Sequence, residues 1–156
     1  MINMERARSV VADFQTLLDA TPPEAAHVRP EAEAWTLSEI VGHLIDSASN
    51  NHQRFVRLRF GDLKGFPAYE PEPWVQAQQY DGCDFAMLST LWSSYNALLL
   101  HLAACTPQQA KPNAWHRVSD SLTLEFIVAD YYEHLQLHVE HYARRLAEVQ
   151  TFLSHA

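Results

Sequence analysis

The sequence predicts an all-α protein: a four-helix bundle with a long crossover between its second and third helices. Three observations predict this. Apolar residues recur at spacings of three and four in four separate stretches. Sustained two-residue alternation and Asn-Gly hairpin turns, the marks of strands, are missing. The length, 156 residues, suits one domain, 1–156, large enough to bury a substantial core.

The first helix is expected over about Asn3 to Asp19, where Val10, Phe14, Leu17 and Leu18 share a face. Thr21-Pro22-Pro23 stops it, because proline cannot continue the hydrogen-bond ladder. Thr36-Leu37-Ser38-Glu39 has the capping-box pattern: the threonine hydroxyl serves the third backbone N–H and the glutamate reaches back. The second helix runs from there to about Phe60 with Ile40, Leu44, Phe55 and Leu58 as its apolar stripe. Gly61 to Gly82, containing GFPAYEPEPW, reads as an ordered crossover packed by Phe66, Tyr69 and Trp74. At about 22 residues it is longer than a usual loop, so it is expected to span the bundle or cover a site. Asp84 caps a third helix running to about Ala104. A connection with Pro107 and Pro112 follows. The fourth helix starts near Thr123 and continues to about Leu153, with Leu124, Ile127, Tyr131, Leu135, Tyr142, Leu146 and Val149 along its buried stripe. Trp35, Trp74, Trp92 and Trp115 are read as packing residues.

Composition removes several functions. The chain is 47% hydrophobic and 19% charged with four Gly, which excludes disordered and collagen-like classes. No apolar run approaches the 18 residues of a membrane span, and the start of the chain lacks a secretory-signal pattern. A cytoplasmic location is expected. The net charge of −8 argues against a nucleic-acid partner; the local basic cluster is Arg54, Arg57, Arg59 and Lys64. Cys83 and Cys105 form neither a disulfide framework nor a Cys-rich metal site, and neither is read as a nucleophile.

Nine histidines are the unusual feature. In DYYEHLQLHVEHYARRL, His134, His138 and His141 lie at offsets of zero, four and seven, so all three share one helical face. An i,i+4 pair can present two imidazole nitrogens to one metal ion. His134 and His141 are about 10.5 Å apart along the axis, too far to share an ion easily. The natural pair is His134 with His138, and His138 with His141 is the alternative. A third ligand must come from elsewhere, and helix two offers His43, with Asp46 and Asn50 on nearly the same face. Three protein ligands leave open positions, the catalytic arrangement. A di-iron carboxylate bundle is excluded, because Glu39, Glu125, Glu133 and Glu140 are followed three residues later by Gly42, Val128, Gln136 and Ala143 rather than His.

WTLSEIVGHLIDSASNNHQRFVRLRFGD resembles the helix-two signature of the DinB/YfiT-like family of metal-dependent enzymes, and DYYEHLQLHVEHYARRL resembles its C-terminal His-x-x-x-His helix. The likeness runs from about Ala34 to Val149. It implies a four-helix bundle with one divalent metal, zinc or nickel, held by His43, His134 and His138. Family members often carry Gln where this chain has His141, which makes His141 an alternate ligand or a support for the ligands. Asp46 and Asn50 match polar positions after the first ligand and are assigned to ligand support or the pocket wall. The resemblance implies a thiol-dependent S-transferase or a hydrolase acting on a small electrophile, a low-molecular-weight thiol as cofactor, and a homodimer. Arg54 or Arg57 is the candidate for binding a carboxylate on that thiol by a bidentate contact. The competing reading is a non-catalytic metal-binding stress-response bundle that works as a dimer. Because ligand imidazoles must be neutral, metal affinity is expected to fall below about pH 6.5.

Overall fold

The computed structural model describes Met1–Ala156. Five helices and three very short strands form: α1 (Met4–Asp19), α2 (Leu37–Arg57), β1 (Leu63–Lys64), α3 (Pro71–Gln78), α4 (Phe85–Ala104), β2 (Ala114–His116), β3 (Ser121–Thr123) and α5 (Leu124–Ser154). The four long helices make the bundle. α2 packs on α4 and α5, and α1 packs on the same two. Helices adjacent in sequence, α1 and α2, therefore occupy opposite corners, joined across the bundle by residues 20–36, whereas the long crossover joins the neighbours α2 and α4. No helix is long and apolar enough to cross a membrane.

Local chemistry places the helix starts. Asn3, Thr36, Asp84 and Thr123 each accept a hydrogen bond from the N3 amide of the helix that follows, and at α2 the full capping box forms between Thr36 and Glu39. The core then locks the helices together. Phe14 of α1 meets Trp92 of α4 and Tyr142 of α5 edge-on, with ring centroids 4.6 and 5.0 Å apart. The Tyr142 hydroxyl is buried against the Thr21 hydroxyl at 2.7 Å. Asn96, fully buried on α4, donates to the Trp92 carbonyl and accepts from the Tyr131 hydroxyl, so its burial leaves both polar atoms partnered.

Two expectations from the sequence fail. The crossover contains a helix of its own, α3, which the reading as a connection did not include: Pro71 and Pro73 both sit in its first turn, where the missing N–H is not needed. Gln79, with φ at +51°, ends it. The expected absence of strands also fails. β1 pairs in parallel with β2 through Leu63 and Trp115, and β2 pairs antiparallel with β3. Strands of two or three residues are too short to show alternation; tertiary contacts make them, including Trp115 Nε1 donating to the Phe66 carbonyl. α2 also stops at Arg57 rather than Phe60, its end tightening into three-residue turns at Arg59 and Phe60.

Candidate metal centre

His43 lies one and a half turns into α2 on its inner face, 4% exposed. The preceding residue is Gly42, and the reason is steric: a Cβ there would fall 2.1 Å from the Tyr80 ring. Glycine lets the end of the crossover pack directly on α2 beside His43. Across the seam, α5 presents His134 and His138 one turn apart, both half-buried. The Nε2 atoms of His43 and His138 are 3.2 Å apart, and so are those of His138 and His134. All three ligand nitrogens lie within 4.8 Å of one another. The structure thus brings His43 together with the i,i+4 pair.

The donor set suits a divalent cation. Two nitrogens bound at 2.0–2.1 Å in a tetrahedral shell are about 3.3 Å apart, close to the spacing present. A proton can bridge only one pair of nitrogens at a time, whereas one cation accepts three lone pairs together. The rings are also prepared for it electronically. Burial lowers the His43 pKa to about 4, with repulsion from His134 and His141 adding, and burial lowers His138 to about 3, with His43, His134 and His141 adding. His134 is lowered by burial as well, opposed by Asp130. The imidazoles are held neutral, as ligation requires, and protons compete for them at lower pH than the ordinary histidine value suggests.

One feature departs from common practice at metal sites. A ligating histidine usually donates its outer N–H to a carboxylate or carbonyl. Here Nδ1 of both His43 and His138 is buried without a partner. Ring packing does the orienting instead: Trp35 lies 5.2 Å from the His43 ring, and His138 sits between His43 and His134 at 4.7 and 4.6 Å. Each unpartnered buried N–H costs about 1–3 kcal/mol, which this seam tolerates.

The other candidate residues fall in different places. His141 is 5.9 Å from the His138 ring and lies outside the converging set. Asp46, 2% exposed, is held through Oδ1 by the Tyr80 hydroxyl at 2.6 Å and by Gln78 Nε2 at 2.8 Å, while its Oδ2 is buried and unpartnered. Desolvation raises the Asp46 pKa, opposed by those two hydrogen bonds. Asn50 turns back on its own helix and donates to the Asp46 carbonyl. Arg57 is exposed, bonded to Gln53. Arg54 is buried, with its ring neighbour Trp115 4.2 Å away. Gln78 and Tyr80 carry no sequence motif, and Trp35, though it opens the helix-two signature, reads from sequence as a packing residue; Gly42, an isolated glycine inside a helix, is the available signal for the close approach of Tyr80.

A helical bundle with three imidazoles gathered from two facing helices defines the class: a four-helix-bundle protein with a candidate three-histidine metal centre. The sequence profile of the DinB superfamily matches residues 6–142, and the chain belongs to that family. It is 29% identical over 112 residues to a Bacillus subtilis (strain 168) protein named "Putative metal-dependent hydrolase YfiT", a match covering 69% of this chain and 61% of that one. The matched region thus spans less than two thirds of the relative's length. A solved structure of YfiT from Bacillus subtilis, described as "a probable metal-dependent hydrolase with an unusual four-helix bundle topology", superimposes with a TM-score of 0.78. That match covers 97% of this chain and 85% of the other at 16% identity, a likeness of fold.

Proposed function

We propose that the chain is a metal-dependent enzyme that acts on a small electrophilic molecule, with His43, His134 and His138 as the ligands and zinc or nickel as the metal. The convergence of three Nε2 atoms at 3.2 Å steps carries this reading. The metal-dependent hydrolase activity named for the Bacillus subtilis relative supports it. A divalent cation held there supplies Lewis acidity, lowering the pKa of a bound water or thiol so that its anion is available near neutral pH. The chain's own residues do the rest. The three imidazoles remain neutral donors because burial penalises their charged forms. Trp35 walls His43 on the side of the α1–α2 connection. Asp46, fixed by Tyr80 and Gln78, holds a polar oxygen in the same helix one turn from His43. The same activation serves either hydrolysis, the reaction in the relative's name, or transfer to or from a low-molecular-weight thiol.

The test is metal content followed by activity. Untagged protein is expected to carry one divalent ion per chain by elemental analysis, and His138→Ala to lose it, with affinity reduced at least about a hundredfold. Metal-loaded wild type is then assayed for conjugation of a generic electrophile with glutathione, bacillithiol and mycothiol, and for hydrolysis of ester and amide substrates. One ion per chain retained by His138→Ala overturns the ligand set; loaded protein inert in every assay overturns the enzyme reading.

A further inference from the structure

The far end of α2 holds a second feature that the metal centre does not use. Arg54 is 8% exposed, and no carboxylate lies within ion-pair distance of it, although the chain has 19 acidic residues. Its Nε is buried and unpartnered. Its single hydrogen bond is a long one, from Nη1 to Asn51 Oδ1 at 3.4 Å. The guanidinium lies over the Trp115 ring at 4.2 Å. Arg117 approaches the same ring at 5.3 Å, but Asp120 already grips its guanidinium. Trp115, though not Arg54 itself, also lines a cleft of ≈ 490 Å³ between Gly65–Ala68 and Arg117–Val118.

A buried cation without a counter-charge is costly, and pairing is the usual remedy. Arg54 has a fork of donors and an aromatic face behind it, but no anion from its own chain. We infer that Arg54 is the anchor of an oxyanion subsite that takes the carboxylate or phosphate group of a ligand entering beside Trp115. The fork geometry suits both oxyanions. The subsite is three turns from His43 on the same face of α2, about 16 Å along the axis, so its occupancy does not depend on the metal.

Isothermal titration of the full-length protein with inorganic phosphate and, separately, with succinate in a low-salt buffer tests this. Wild type is expected to bind at least one of them; tighter phosphate binding identifies a phosphoryl ligand and tighter succinate binding a carboxylate. Arg54→Met is expected to weaken binding tenfold or more, the loss of a charge-assisted pair, and to melt no lower than wild type without anion, since it removes an uncompensated buried charge. Arg8→Gln, an equal change of net charge on the exposed face of α1, keeps affinity within about twofold of wild type, as screened surface charge should. His138→Ala keeps the anion affinity, which separates this inference from the metal reading. If Arg54→Met fails to fold, Arg54→Lys decides, and a tenfold loss on replacing the fork by a point charge supports the subsite. No binding of either anion by wild type, or equal affinity in wild type and the Arg54 variant, overturns it.

Discussion

The bundle has two buried seams of opposite character. Where α1 meets α4 and α5, Phe14, Trp92 and Tyr142 interlock, the Tyr142 hydroxyl finds Thr21, and the Trp92 Nε1–H is buried without a partner. Where α2 meets α5, three imidazoles crowd together, and Nδ1 of His43, Nδ1 of His138 and Oδ2 of Asp46 go without partners. The first seam is built as a core is built, from large rings at van der Waals distance. The second concentrates three such unpartnered atoms beside a set of converging imidazoles, where the first has the one indole N–H. The contrast separates the residues that hold the fold from those retained for a ligand. Histidines elsewhere show the same distinction: His52 meets the Tyr95 hydroxyl, and His116 is held between Ser121 and Asp62, so neither is left wanting.

Opposite responses to substitution are the strongest way to break this comparison. Phe14→Ala is expected to cost about 3–5 kcal/mol, lowering Tm by roughly 10 °C in a chain of this size, while the folded fraction still binds metal at the wild-type ratio. His138→Leu is expected to abolish metal binding while lowering the Tm of the metal-free protein far less than Phe14→Ala, because the unpartnered Nδ1 it removes offsets the partner that His43 Nε2 loses. Thermal melts beside metal analysis check both, and a metal-free His138→Leu protein that melts as low as Phe14→Ala erases the distinction.

The next effect is on pH. The folded pKa values of His43 and His138, about 4 and about 3, lie below the unfolded value of 6.5. The unfolded chain therefore binds more protons between these values, and stability falls as pH falls. The contribution is fully present above about 6.5 and drains away down to the folded pKa values. For metal-free protein, Tm is expected to drop by on the order of 5 °C or more between pH 7 and pH 5, and the drop should shrink in a His43→Leu, His138→Leu double variant. An equally steep decline in that variant places the pH sensitivity elsewhere.

Much of this contrast was legible in the sequence, for a physical reason. Helical periodicity and capping chemistry are local, so the four long helices and the caps at Thr36 and Asp84 could be read from residues within one turn. The i,i+4 spacing of His134 and His138 is local too, and helix geometry carries it through. His43 is different: its place opposite that pair depends on how α2 and α5 cross, and family resemblance rather than spacing supplied it. What stayed illegible was tertiary. The strands at Leu63, Trp115 and Leu122 exist only because the two connections meet. The grip of Tyr80 and Gln78 on Asp46 spans more than thirty residues of chain. The burial of Arg54 depends on Trp115, far away in sequence, covering it, and nothing in a run of basic residues distinguishes it from exposed Arg57.

Gly42 connects the two seams' logic and offers a finer test. An alanine methyl at this position meets Tyr80 Cδ2 at 2.1 Å and its Cγ at 2.2 Å. The ring cannot flex away as a long aliphatic chain would, so it must shift bodily, and its hydroxyl must leave Asp46. Overpacking of this kind costs about 1–3 kcal/mol. Gly42→Ala is thus expected to destabilise less than Phe14→Ala, but unlike Phe14→Ala it also weakens metal affinity by moving the segment that packs beside His43. Tyr80→Phe isolates the part due to the hydroxyl: it leaves the packing and removes one donor from Asp46, for about 1–2 kcal/mol. If Gly42→Ala binds metal as tightly as wild type while Tm falls, the close approach of Tyr80 is a packing device alone, and the imidazole cluster is positioned by α2 and α5 without help from the crossover.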